Sequence, residues 1–353
     1  MSFFKRNNPN VLGIDVSSSA IKLIELSRHG SRYRVESYAV AALPENAVID
    51  NNFADIEAIG HTLSTVIERS GTKLKQAALS VSGSAVITKI VTIPVPENDE
   101  ELEAQVEMVA DQYIPYALDE VNLDFSIIGP NEKNAGLIDV QLAASRRENI
   151  DDRVAVLDLA GLKAKIVDVE AYALENAYGL LQSGLPDYGP EATIAIADTG
   201  STVTTLNIIH KNKVIYSREQ GFGGKQLTEE IQRRYGLSYE EAGMAKKHGG
   251  LPDSYITEVL DPFKDVMCQQ IGRSLQFFFS SSAQHSVDHI ILSGGTSSLL
   301  GVDALLEEKL GTPATVANPF SQMSLAGKVK TQALSNDAPA MMIATGLALR
   351  SFD

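Results

Sequence analysis

Two short stretches carry the residue types needed to hold a phosphorylated ligand. In GIDVSSSAIKLIEL, Asp15 closes an apolar strand, and Ser17, Ser18 and Ser19 make a small polar turn ahead of Lys22. The pattern recurs in AIADTGSTVTTLNI, where Asp198 stands for Asp15, and Gly200, Ser201 and Thr202 stand for Ser17, Ser18 and Ser19. Small residues let a backbone approach its ligand, and successive N–H groups in such a turn form a concavity for anions. An acid at each strand end suits a hydrated Mg²⁺, which keeps most of its waters and takes few direct protein ligands. Together the two stretches read as opposed jaws for a nucleoside triphosphate. Asp15 and Asp198 would then reach the Mg²⁺ through water, and Lys22 would add a point charge for a phosphate. Taken alone, either stretch also reads as a surface turn rich in Ser and Gly.

A third stretch, IILSGGTSSLLG, has two glycines, Gly294 and Gly295, that allow a flat base to approach, with Thr296 and Ser297 at a turn before a helix. Two other ways of holding phosphates are excluded. The P-loop pattern fails because Glu219 and Gln226 occupy its glycine and hydroxyl positions around Lys225, and GFGGKQ puts Gln226 where the dinucleotide fingerprint needs its third glycine. His285 and His289 have the spacing of a helical metal pair, but they fall in the approach to a strand and are expected to be ordinary polar positions. QFFFSSS is expected in the core rather than on a binding face.

The elements that must position these residues are those of an α/β chain with a duplicated hairpin. SGLPDYGPE marks a connection between two compact halves. QAALSVSGSAVITKIVTIP reads as paired strands, and ENDEELEAQVEMVADQYIP as a helix with Leu102, Val106, Val109, Ala110 and Tyr113 on one face. VNLDFSIIG and LIDVQLAAS read as strands, followed by a helix closed by Gly161. The block 76–161 is therefore expected to be an inserted subdomain, with residues 10–75 and 162–186 as the first lobe. Residues 190–225 and 287–353 are expected to form the second lobe, and 226–286 its helical subdomain, including a helix capped by Ser238 and Glu241.

The chain of 353 residues has 44% hydrophobic content and a net charge of −15, which opposes binding to nucleic acid or to an anionic lipid surface. Cys268 is the only cysteine, so no intramolecular disulfide or thiolate metal site can form, and a reducing, cytoplasmic location fits best. MSFFKRNNPN has no apolar run of signal-peptide length, and nowhere do about 18 apolar residues run together as a membrane span requires.

The order of hairpin, inserted block, IVDVEAYALENAYGL, second hairpin, GGKQLTEEI, EEAGMAKK, SGGTSS and APAMMIATGLAL resembles the actin-like ATPases, the superfamily of actin, heat-shock 70 chaperones and sugar kinases. The insertion resembles that of FtsA, and ADQYIPYALDEV, RSLQFFFSSS and DAPAMMIATGLALRSFD resemble the PilM family of bacterial type IV pilus assembly. The resemblance runs from about residue 10 onward and implies an actin-like (ribonuclease H-like) two-lobed ATPase fold with an FtsA-type inserted subdomain. It also implies that ATP or ADP with Mg is the ligand. Asp15, Ser17, Ser18, Ser19 and Lys22 match the first phosphate loop, and Asp198, Gly200, Ser201 and Thr202 the second. Gly224 and Lys225 fall where the backbone nears the nucleotide, Lys246 where a helix reaches the ribose or base, and Gly294, Gly295, Thr296 and Ser297 where adenine rests. Glu170 falls where a carboxylate or amide positions the attacking water, with at most slow ATPase activity expected; it also suits the start of a helix on charge alone. Gly243 replaces a glutamate that chaperone and FtsA relatives carry three residues before the lysine.

For partners, the resemblance implies the N-terminal cytoplasmic tail of the inner-membrane protein PilN, held in a groove between the first lobe and its insertion. It implies contact with PilB, PilT and PilC and an indirect link to PilO, PilP and PilQ, with the chain peripheral to the inner membrane through PilN. Two alternatives share the fold. A small-molecule kinase would need an acceptor-side acid beyond the nucleotide set. A membrane-associated filament like FtsA would need an amphipathic anchor after the apolar run that ends near Arg350.

Overall fold

The computed structural model describes residues 10–353. The expectation that Met1 to Pro9 form no signal segment lies outside them. In chain order the first half runs β1 (Leu12–Val16), β2 (Ala20–His29), β3 (Arg32–Ala42), β4 (Val48–Ile49), β5 (Asn52–Phe53), α1 (Ile56–Ser70), β6 (Gln76–Val81), β7 (Val86–Pro94), α2 (Asp99–Tyr113), β8 (Val121–Pro130), β9 (Leu137–Arg146), α3 (Arg147–Leu159), β10 (Lys163–Val169) and α4 (Glu170–Leu181). The second runs β11 (Thr193–Thr199), β12 (Thr204–His210), β13 (Lys213–Gln220), α5 (Gly224–Tyr235), α6 (Tyr239–His248), α7 (Asp261–Ser281), β14 (His289–Ser293), α8 (Val302–Leu310), β15 (Ala314–Val316), β16 (Ser324–Leu325), α9 (Thr331–Asp337) and α10 (Met342–Leu349).

Two mixed sheets organise the molecule. The first has the order β10-β6-β1-β2-β3-β16 and the second β13-β12-β11-β14-β15. Strand alternation decides which side chains go where. Ile21 and Leu23 of β2 join α1 and α3 in one core, while Ile24 and Leu26 turn to the other face, against Ala344 and Ala348 of α10. In the second sheet, Leu206 and Ile208 pack on α7 and α8, and Ile194 and Ile196 pack on Leu174 and Ala177 of α4 and Met342 of α10. Helices α4 and α10 therefore lie between the sheets and contribute to both cores.

Close approach makes this middle layer possible. A Cβ on Gly346 would stand 1.8 Å from the Ala173 carbonyl oxygen, and one on Gly13 would stand 1.9 Å from that of Ala344. Both contacts are with backbone, which cannot swing aside as a side chain would. Gly346→Ala should cost about 3 kcal/mol, the upper part of the overpacking range, read from the denaturant midpoint at unchanged m-value.

The third sheet, β7-β9-β8, carries α2 on one face through Leu102, Val106 and Ala110. Its limits differ from the expected 76–161 insertion. β6 pairs in parallel with β1 and β10 in the first sheet, and Val156 and Leu157 of α3 belong to the first core. β6 and β7 thus sit in different sheets and do not pair with each other as expected. The expected second-lobe segment 287–353 also crosses back. β16 pairs in parallel with β3, and α10 lies on β1 and β2. Parallel neighbours are joined by long connections, so sequence adjacency says little about the sheet to which such a strand belongs.

Candidate functional site: an acidic cleft between two hairpins

The two repeats form matching hairpins, one in each main sheet. In β1–β2, Asp15 lies opposite Lys22; in β11–β12, Asp198 lies opposite Thr205. Lys22 Nζ donates to Asp15 Oδ2 at 2.6 Å and to Ser17 Oγ at 3.2 Å. Burial by itself would lower the Lys22 ammonium, but Asp15 beside it, with Asp198 and Glu170 further off, holds it above its ordinary value. Asp198 accepts from Ser293 Oγ at 2.8 Å. Burial pushes Asp198 up to about 6, against the Ser293 bond and Lys22, with Asp15 adding to the rise. Glu170, the first residue of α4, is pushed to about 8 by burial and then by the charges of Asp15, Asp198 and Glu219, with Arg153 opposing.

These couplings link Asp15, Lys22 and Asp198, from the two main sheets, with Glu170 at the start of α4. The two turns also meet directly, because Thr202 Oγ1 donates to Ser18 Oγ at 3.2 Å. Ser17 N and Gly200 N close their own turns onto Ala20 O and Val203 O. Among the described residues, the N–H groups of Ser18 and Ser19 on one side, and of Ser201 and Thr202 on the other, have no backbone acceptor.

The raised acids give the ligand-free protein a definite pH dependence. The folded pKa of Glu170 lies above its unfolded value of 4.5, so the native state holds the extra proton, and stability falls as pH rises from about 4.5 to about 8. Asp198 acts in the same direction between 3.8 and about 6. Glu170→Gln should flatten the upper part of this slope, as measured by denaturant unfolding at pH 5, 7 and 8.5.

The remaining sequence-derived residues gather on the second lobe. Gly224 N donates to Gly200 O at 3.0 Å and Lys225 N to Ser201 O at 2.8 Å, fastening the start of α5 to the second turn. Thr296 Oγ1 donates to Gly200 O at 2.8 Å and Ser297 Oγ to Ser293 O at 2.5 Å, so both hydroxyls are committed to the backbone. Gly294 has φ +86°, and a Cβ there would meet Thr199 O at 2.3 Å, which makes glycine obligatory. Gly295 opens the short 3₁₀ turn Gly295–Ser298. Lys246 Nζ donates to Gly224 O at 3.1 Å and Thr228 Oγ1 at 2.6 Å, and burial lowers its pKa. The Lys225 ammonium instead lies 4.0 Å from Glu229 along the helix. Gly243 faces open space, so crowding does not account for the absence of a side chain there.

Ser293, Thr205 and Asn207 were not singled out by sequence, although Ser293 is the serine of the SGG turn, and Glu219 was noted only as breaking the P-loop pattern. Neither amide atom of fully buried Asn207 has a protein partner. It lines a cavity of about 30 Å³ with Glu170, Asp198 and Thr205, room for one or two waters.

The donor set fits a hydrated cation. Asp15 and Asp198, one from each hairpin, act on each other electrostatically, but among the described residues no group of three His, Cys, Asp or Glu side chains is placed to hold a metal ion, so direct ligation by protein alone is not built. His289 is a structural residue, buried between Tyr188 Oη at 3.0 Å and Thr315 Oγ1 at 2.9 Å. In QFFFSSS, Phe278 is in the core, whereas Phe277 is part-exposed beneath the Arg218 guanidinium at 3.9 Å.

A second concavity, of about 350 Å³, lies where the first lobe meets the third sheet. Asp50, Asn51, Asn52, Ser82 and Ser84 line it together with Tyr116, Val121, Arg146 and Asn149.

Two sheets sharing a middle layer of helices, with paired acidic hairpins whose turns meet, define an actin-like α/β protein. The family described as "Type IV pilus assembly protein PilM" matches residues 13–352, and the chain belongs to that family. It is similar to a solved structure described as the "PilM-PilN type IV pilus biogenesis complex", at 27% identity and a TM-score of 0.80, covering 98% of this chain and 99% of that one. The ethanolamine utilization protein EutJ from Carboxydothermus hydrogenoformans is similar in fold, at 17% identity and a TM-score of 0.56, covering 97% of this chain and 89% of that one. Among the described residues, no helix is long and apolar enough to cross a membrane.

Proposed function

We propose that this chain is a nucleotide-binding scaffold and switch of type IV pilus assembly. In this reading it holds ATP or ADP with Mg²⁺ between its lobes. The N-terminal cytoplasmic tail of PilN sits in the groove beside the third sheet, keeping the chain peripheral to the inner membrane. The observation that carries the PilN part is the 350 Å³ groove, together with the similarity to a solved PilM-PilN complex. Its lining suits an extended peptide. Asn51, Asn52, Ser84 and Asn149 offer hydrogen bonds to a main chain, while Ile87, Tyr116 and Val121 offer apolar surface to side chains.

The nucleotide part is supported by the paired turns. The free N–H groups of Ser18, Ser19, Ser201 and Thr202 suit phosphate oxygens, and Lys22 adds positive charge. Asp15 and Asp198 would hold Mg²⁺ through water, and the ion there supplies charge that offsets the phosphates. Entry of a triphosphate must break the Ser18–Thr202 bond and replace it with contacts to both turns, so nucleotide favours one lobe arrangement by its differential affinity. Glu170, at about 8, is largely protonated at neutral pH and positions a water better than it deprotonates one, which supports slow turnover. Contacts with PilB, PilT and PilC, and the link to PilO, PilP and PilQ, rest on the family resemblance.

A synthetic peptide of the PilN tail, titrated into the chain, should bind at one site and be lost in Tyr116→Ala/Arg146→Glu. Absence of binding to the unsubstituted chain would refute the PilN part.

A further inference from the structure

One carboxylate ties the wall of the groove to the second lobe. Glu219 sits on β13, yet its Oε1 accepts from Ser84 N at 3.2 Å and its Oε2 from Asn51 Nδ2 at 3.2 Å, both in the first half of the chain. Both partners line the 350 Å³ groove. Asn51 is at the tip of the β4–β5 hairpin, where Asp50 and Asn51 both have positive φ, at 49° and 64°. That is the backbone of a tight type I′ turn, which Asn tolerates well. Ser84 is in the short 3₁₀ turn Gly83–Ala85 between β6 and β7, and Ser82 Oγ lies 3.0 Å from Ser84 Oγ. The hairpin tip and the turn thus share one anchor, and it belongs to the other lobe.

The same residue is connected to the acidic cleft. Strand register places Asp198 opposite Thr205 and Thr205 opposite Glu219, a row of three polar residues across β11, β12 and β13. Directly opposed residues stand about 5 Å apart, so the row spans about 10 Å from the cleft acid to the groove anchor. Gly83 closes the path from the first half: it lines the small cavity beside Glu170 and Asp198, and a Cβ there would lie 3.9 Å from Glu219 Oε1. Because β11, β12 and β13 are hydrogen-bonded neighbours, Glu219 moves with Asp198 when the second lobe moves.

We infer that Glu219 is the coupling residue through which lobe closure around nucleotide sets the position of the peptide-groove wall. This rests on the proposed nucleotide and peptide sites and adds the link between them. With Glu219 bonded, the Asn51 tip and the Ser84 turn follow the second lobe, and the groove has one shape per lobe arrangement. Without it, the wall belongs to the first lobe only. Linkage is reciprocal, so Mg·ATP must change peptide affinity by the factor by which peptide changes Mg·ATP affinity.

The test is a complete binding cycle by calorimetry, with Mg·ATP and a synthetic PilN-tail peptide as probes, each titrated with and without the other. The unsubstituted chain is expected to show a coupling factor of about 10, within the usual range for linked sites. Glu219→Ala should bring the factor to within about twofold of 1, and Glu219→Gln, which keeps the size and one acceptor, should give an intermediate value. The conservative variant guards against a folding defect, and a structural role alone would weaken binding without changing the factor. Binding of both probes by the unsubstituted chain with a factor of 1 would overturn the coupling and leave the functional reading intact. An unchanged factor in Glu219→Ala would overturn the role of this residue. Failure of the unsubstituted chain to take up either probe would overturn the functional reading itself, and this inference with it.

Discussion

Lys22→Met should destabilise the ligand-free protein by about 3–5 kcal/mol near neutral pH, the usual cost of removing one partner from a buried pair. The side chain of Asp15 is only 3% exposed and that of Lys22 12%, and their charged atoms are 2.6 Å apart, so solvent cannot take over the role of the ammonium. Methionine retains most of the apolar stem, which keeps the packing loss small. Two signatures separate this cause from general damage. In the variant, an unpaired buried Asp15 would hold its proton more tightly folded than unfolded, so the lost stability should return as pH falls toward the usual carboxylate range and be lost again as pH rises. Adding Asp15→Asn to Lys22→Met should also recover much of the loss, since the stranded charge is then gone. Chemical denaturation at pH 4 and pH 7 reads both effects; a double variant no more stable than the single would assign the loss to something other than the pair.

Asp198→Asn should have effects of opposite sign on stability and on ligand binding. Asparagine can still accept from Ser293 Oγ, and the substitution removes a carboxylate that burial pushes to about 6 beside Asp15. The ligand-free thermal midpoint should therefore rise. Affinity for Mg·ATP should fall about 100-fold, equivalent to about 2.7 kcal/mol, while affinity for ATP in excess chelator should fall much less. Such opposition is the expected mark of a residue kept for a ligand rather than for the fold. A variant with a lower midpoint and unaltered Mg·ATP affinity would place Asp198 among ordinary structural acids.

Some of this was legible in the sequence because it is local. The hairpin acids, the polar turns, the capping box of Ser238 and Glu241 and the glycines of the SGG turn all carry signals within a few residues, and α6 shows that capping box as expected. The middle layer was harder to read. Ala173, Ala344, Gly346 and Ala348 look like plain helix formers or breakers until the sheets on either side are known. The strand β6 reads like any apolar run, and its parallel partners β1 and β10 leave no trace beside it. Glu219 belongs to a third class. It is the next-to-last residue of β13, and the groups it binds are 135 and 168 residues away, so no window of sequence contains the interaction.

The most direct measurement is a structure of the chain with a non-hydrolysable ATP analogue and Mn²⁺ in place of Mg²⁺, using the anomalous signal of the metal. Triphosphate density between Ser17–Ser19 and Gly200–Thr202 is expected, with the metal peak a water's reach from both Asp15 and Asp198. Nucleotide bound away from these turns, or a metal peak remote from both aspartates, would contradict the clamp.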